Sequence, residues 1–230
     1  MGKNKIESRC FGWRKCLFTL IELLMVVSII MIMASLLLPA LNKVRDTSKR
    51  IKCINNLKQV ALYASMYSEA YNDYLLPTQA IYGGTNMKFP QLLVNLGITP
   101  PNSYTGQTPI MFYVCPSEKP GSISPHYDDP PSSWRGTHYG LSAYVCGRTI
   151  TGGVYDRTLM KMNRVKIPSE RIYGGDGKGN SYPDISATPG NLVMRHSNSG
   201  CVFYVDGHAN ARKSFALNAS DYEWGYQATD

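Results

Sequence analysis

The fold class expected from the sequence is α+β: one long N-terminal helix, its first half suited to a bilayer and its second half amphipathic, packed on an antiparallel sheet. Three observations carry this expectation. Residues 18–38 (FTLIELLMVVSIIMIMASLLL) are an apolar run holding a single charge, Glu22. Residues 40–71 then repeat apolar side chains every three or four positions among Lys and Arg. From residue 76 the chain becomes rich in Pro, Gly, Tyr, Ser and Asn between short apolar segments, as strands separated by turns would be. The chain therefore divides into a basic leader (1–17), a membrane helix (18–38), an amphipathic helix (39–75) and an external head (76–230).

The apolar run, at about 1.5 Å per residue, spans roughly 31 Å and matches the hydrocarbon thickness of a membrane. The leader holds Lys3, Lys5, Arg9, Arg14 and Lys15 against Glu7 alone. A basic flank stays on the cytoplasmic side, which places everything after Leu38 outside. A cleaved secretory signal has a shorter apolar core and a small-x-small site, and Ser35-Leu36-Leu37-Leu38-Pro39 does not provide one. Cys16 follows Trp13-Arg14-Lys15, not the small apolar lead-in of a lipidation site. The run is read as a retained anchor. A carboxylate within it costs up to about 3 kcal/mol at mid-bilayer and less near an end. Glu22 is thus read as having a partner, against the simpler reading that it snorkels to water.

Pro39 lacks an N–H, so a bend is expected between the two helical halves. Leu41, Val44, Ile51, Ile54, Leu57, Ala61, Ala64 and Met66 form the expected packing stripe of the second half. Its small and medium side chains suit a protein neighbour better than a membrane surface. In the head, 89–97 reads as a short helix stopped by Gly97. Residues 110–114, 139–145 and 171–175 read as strands, as do 191–195, 201–205 and 208–212. Asp206-Gly207 makes the last two a hairpin. Residues 116–137 carry too many prolines for a strand and read as a long surface loop.

The formal net charge is +8. Most of it lies in the leader and in residues 40–75; thirteen basic and eleven acidic residues from 76 onward leave the head nearly neutral. No basic face is concentrated there, and no nucleic-acid partner is expected.

The order basic leader, Phe18-Thr19-Leu20-Ile21-Glu22, apolar helix and Pro39 resembles the N-terminus of type IV pilin-like proteins, including the pseudopilins of type II secretion systems. The resemblance implies a pilin-like fold and cutting between Leu17 and Phe18 by a membrane-embedded prepilin peptidase, followed by N-methylation of Phe18. The family's usual residue before the cut is Gly, and Leu17 stands there instead. It also implies that Glu22 pairs with the Phe18 amine of a neighbouring subunit, so that leaving lipid and assembling favour each other. Four further pieces resemble prepilin-like proteins with a C-terminal H-x9-D-G signature. They are Cys53-Ile54-Asn55-Asn56-Leu57-Lys58-Gln59, Tyr113-Val114-Cys115-Pro116, Ile167-Pro168-Ser169-Glu170, and His196 followed, after nine intervening residues, by Asp206-Gly207-His208.

The implied role is structural: a subunit stored in a bacterial inner membrane as a single pass, N-terminus cytoplasmic and head periplasmic. Its partners would be membrane lipid, the peptidase, other pilin-like subunits and a secretion or pilus machinery. A secretion pseudopilin comes first, and a surface pilus subunit next. The rival class is a membrane-anchored binding protein or enzyme. The chain has no GxSxG, HExxH or paired-carboxylate spacing, and it is not expected to be an enzyme.

Other polar groups have structural readings. His196 and Asp206 are expected near opposite ends of adjacent strands, with Asp206 accepting from the His196 ring or from amides of its own turn. Gly174–Asp184 could offer Ca²⁺ oxygens from Asp176, Asn180 and Asp184. The ligand spacing is wrong for an EF-hand and Lys178 intervenes, so an ordinary turn is preferred and no cofactor is expected. Cys53, Cys115, Cys146 and Cys201 face an oxidising compartment on this topology and are disulfide candidates. Cys53 reads equally as a small buried residue. His126, His138, His196 and His208 are too scattered in sequence to name a zinc site.

Overall fold

The computed structural model describes residues 19–100, 111–117, 137–149, 155–157, 159–177 and 193–213. The chain divides into two units within its first helix, one ending at Val44 and one beginning at Arg45.

That helix, α1, runs from Leu20 to Ala70 (51 residues). It opens with a reciprocal cap. The Thr19 hydroxyl accepts from the Glu22 N–H (3.3 Å), and Glu22 Oε2 accepts from the Thr19 N–H (2.9 Å) and hydroxyl (2.8 Å). The helix passes through Pro39 without a break. Ser28 and Ser35 donate back to the carbonyls of Leu24 and Ile32, each at 2.7 Å, so no hydroxyl of the apolar run is left unpaired. Among the described residues this is one helix long and apolar enough to cross a membrane, and its apolar window is wholly unburied. The helix ends where Asn72 (φ 51°) and Asp73 (φ 64°) take left-handed backbone and the Asp73 N–H returns to the Ser68 carbonyl.

In the second unit α1 buries Cys53, Asn56, Leu57, Val60, Ala61, Ala64, Tyr67 and Ser68, a stripe of three- and four-residue steps. This corrects the expected stripe. Leu57, Ala61 and Ala64 belong to it, Ile54 is half-buried, and Leu41, Val44, Ile51 and Met66 are exposed. Cys53 and Asn56 take the inward places because their polar atoms find partners in the head.

The main sheet is antiparallel, with strands β3 (Tyr139–Leu141), β6 (Ile172–Asp176), β7 (Gly200–Tyr204) and β8 (Ala209–Arg212) adjacent in that order. β6 and β7 are buried along their whole length. Gly174 and Gly175 make their close approach possible. A Cβ at Gly174 would run into the Phe203 ring and the Gly140 carbonyl, and one at Gly175 into the Cys201 carbonyl. Tyr173 and Phe203 pack ring on ring at 5.3 Å, and the Tyr173 hydroxyl donates to the Leu76 carbonyl at 3.2 Å.

Two smaller antiparallel pairs complete the described strands: β1 (Gln79–Tyr82) with β2 (Thr85–Lys88), and β4 (Arg148–Thr149) with β5 (Tyr155–Arg157). The first is a two-residue hairpin on Gly83-Gly84, both at positive φ, which suits the strand twist. It was not anticipated, although Gly-Gly between short runs is its sequence signal. Helix α2 (Phe89–Asn95) follows directly and stops at Gly97 (φ 70°), as expected.

Three expected strands are corrected. Within 110–114, Met111–Tyr113 is a 3₁₀ turn. The turn lets Phe112 meet Tyr63 (5.5 Å) and Tyr113 meet Phe89 edge-on (6.1 Å), whereas a strand would send successive rings to opposite faces. Within 139–145, the strand ends at Leu141 and a single turn of helix, α3 (Ala143–Cys146), replaces the rest. Short apolar runs do not distinguish those two outcomes by period. Of 191–195, the described residues Val193–Arg195 lead into a turn, and Arg195 is drawn to Asp176 instead of a ladder. Most of the expected loop 116–137 lies outside the described residues.

Candidate functional site: a buried cluster of thiols, imidazole and carboxylate

Five side chains distant in sequence meet where α1 touches the main sheet. α1 supplies Cys53 as the first residue of its buried stripe, and the segment after the 3₁₀ turn supplies Cys115. β6 ends at Asp176, the turn before β7 carries His196, and β7 carries Cys201. All are at most 2 % exposed.

Asp176 is the hub. Its Oδ1 accepts from the Cys53 thiol (3.3 Å) and from Arg195 Nη1 (3.4 Å), and its Oδ2 accepts from the Cys201 N–H (2.8 Å). Arg195 is itself held by the carbonyls of Gly177 (2.7 Å) and His138 (3.3 Å). The His196 Nε2 lies 3.8 Å from Asp176 Oδ2 and 3.5 Å from the Cys115 sulfur. Its Nδ1 is 3.0 Å from the Ser117 hydroxyl. The turn Arg195–Ser197 keeps the ring in place through paired backbone bonds between His196 and Ser199, with Ser197 and Asn198 at positive φ. The donor atoms of Cys53, Asp176, His196 and Cys201 all lie within 4.8 Å of one another.

Burial pushes the Cys53 thiol well above its usual range, and the neighbouring Cys201 and Asp176 push the same way. The Cys115 thiol is raised first by its hydrogen bond with Cys53, then by burial and the Asp176 charge. Burial and these neighbours thus favour the protonated form of the Cys53 and Cys115 thiols.

The structure redistributes the sequence-predicted residues. Cys53, Cys115 and Cys201 come together as free thiols; Cys146, in no disulfide either, donates its thiol to the carbonyl of Ser142, the N-cap of α3 (3.0 Å). Of the two partners expected for Asp206, the structure keeps the amides of its own turn and not the His196 ring. Asp206 accepts from the His208 N–H (3.1 Å) and lies 2.6 Å from His208 Nδ1, with the His208 ring stacked on Tyr204. The two ends of the H-x9-D-G signature thus serve different neighbours: Asp206 and Gly207 (φ 90°) shape the β7–β8 turn, and His196 enters the cluster. Asp176, weighed as a Ca²⁺ ligand and preferred as part of an ordinary turn, is a buried strand end; Asn180 and Asp184 lie outside the described residues, as do Leu17 and Phe18. Sequence reading missed Arg195 and Ser117 altogether. A cationic side chain beside His196 was the one available signal for Arg195. No protein-family model, curated protein or solved structure matches the chain.

Proposed function

We propose that the chain is a pilin-like structural subunit, anchored in a bacterial inner membrane and assembled into a periplasmic filament of the type II secretion pseudopilin kind. The observation that carries this reading is α1. One 51-residue helix holds an unburied apolar run of membrane length at one end and supplies a wall of the head core at the other. A subunit drawn from lipid into a helical bundle needs that arrangement, since its anchor is also its packing surface. The same helix keeps apolar side chains outward within the second unit: Ile51, Leu62 and Met66 are exposed at steps of eleven and four residues, on one side of the helix. They support lateral packing between copies.

Glu22 has a place in this scheme beyond its cap. Both Thr19 bonds fall on Oε2, at the end of the helix where cutting after Leu17 would create an amine on Phe18. On this reading the carboxylate pairs with that amine on an adjoining copy. Mass analysis of the mature N-terminus tests the reading. The expected product begins with N-methylated Phe18, and an intact Met1 in assembling cells overturns it.

A further inference from the structure

We propose that Cys53, Cys201, His196 and Asp176 form a binding site for a divalent cation of the zinc class. Two thiolates, an imidazole and a carboxylate are the donors such an ion takes in four-coordinate tetrahedral sites. With metal–sulfur bonds of about 2.3 Å and metal–nitrogen bonds of about 2.0 Å, donors in a tetrahedral site stand roughly 3.3–3.8 Å apart. The Cys53 sulfur is 3.3 Å from Asp176 Oδ1 and His196 Nε2 is 3.8 Å from Oδ2, and no pair in the set exceeds 4.8 Å. Closing the site takes side-chain adjustments of about 1 Å or less.

The surroundings are those of a supported metal site. Ser117 engages His196 Nδ1 and leaves Nε2 directed at the cluster. Arg195 and the Cys201 N–H orient Asp176. Such outer partners fix ring orientation and ligand basicity. Charge selects the set. Two thiolates and one carboxylate around a divalent ion leave one negative charge, which Arg195, only 3.4 Å from Asp176, balances in a buried site. Using Cys115 in place of Asp176 would leave a further carboxylate uncompensated. Cys115 is therefore a neighbour that shares the His196 ring without being a ligand. On binding, the Cys53 and Cys201 thiols release their protons to solvent as the two metal–sulfur bonds form. The ion would tie α1 to β6, β7 and the turn between them.

The test uses the full chain in detergent, purified with thiols reduced and titrated with Zn²⁺ and with Co²⁺. One ion per chain is expected, and Co²⁺ should give thiolate charge-transfer bands together with tetrahedral d–d absorption. Cys201→Ser should lose those bands, Ser117→Ala should bind about 10–100-fold more weakly, and Cys115→Ser should keep both stoichiometry and spectrum. Ser117→Ala and the wild-type spectrum remain informative even where a ligand variant fails to fold. Octahedral cobalt without charge transfer overturns the proposal. So does a Cys115→Ser variant that no longer binds, or a chain isolated with a Cys53 disulfide that takes up no metal after reduction.

Discussion

Glu22 has two separable attributes, its shape and its charge. The shape completes a cap with Thr19, a role that a glutamine serves as well. The charge is what hydrocarbon penalises and what a neighbouring amine would relieve. Glu22→Gln therefore keeps the helix start and removes only the charge. On the proposed function, sheared filament yield should fall at least tenfold, since an intramembrane ion pair is expected to exceed about 1.4 kcal/mol. Membrane-bound subunit should stay at the wild-type level on immunoblots of the same cells. Unchanged yield would assign Glu22 to capping alone. The pattern Thr19-x-x-Glu22 was open to local reading, and it supplies a structural reason for the acid that needs no second copy.

Helix α1 shows what periodicity can and cannot determine. Three- and four-residue spacing marked 40–71 as helical, and its end at Ala70 agrees. The inward face was misjudged because hydrophobicity was taken as its sole criterion. Cys53 and Asn56 face the head by virtue of partners more than fifty residues away: Asp176 for Cys53, and the Val114 carbonyl and Tyr139 hydroxyl for Asn56. The two sides of the helix should respond differently to truncation. Leu57→Ala, at a position with no exposure, should cost about 2–5 kcal/mol. Leu62→Ala, 60 % exposed, should change stability by less than about 0.5 kcal/mol. Thermal unfolding of the detergent-solubilised chain checks both. If Leu62→Ala also lowers filament yield, its side chain acts between subunits.

At the scale of the molecule, the head should lose stability in alkali. Burial pushes the phenols of Tyr139 and Tyr173 well above their ordinary range, and Tyr113 moves the same way. Their protonated forms are favoured in the fold, whereas the unfolded chain releases these protons near pH 10. Their contribution is complete below about pH 10 and declines as pH rises beyond it, because the unfolded state then binds fewer protons. Unfolding midpoints between about pH 8 and about pH 11 should therefore fall at the alkaline end. Tyr173→Phe should be less stable at neutral pH by about 1 kcal/mol for the lost bond to Leu76, yet show a shallower alkaline decline.

By itself, the sequence determined what local chemistry controls: the α+β class, a membrane-length apolar run with its lone acid, the length of the long helix, the stop at Gly97 and the Asp206-Gly207 hairpin. Each depends on neighbours a few residues away, where periodicity, backbone freedom and hydropathy act directly. Only the tertiary structure decided that Cys53, Cys115, Asp176, His196 and Cys201 share one buried space, and that Asp206 turns to His208 while His196 turns inward. The Cys53–Asp176 hydrogen bond alone joins residues 123 positions apart. Such contacts arise from where α1 meets β6 and β7, and no spacing along the chain encodes that meeting.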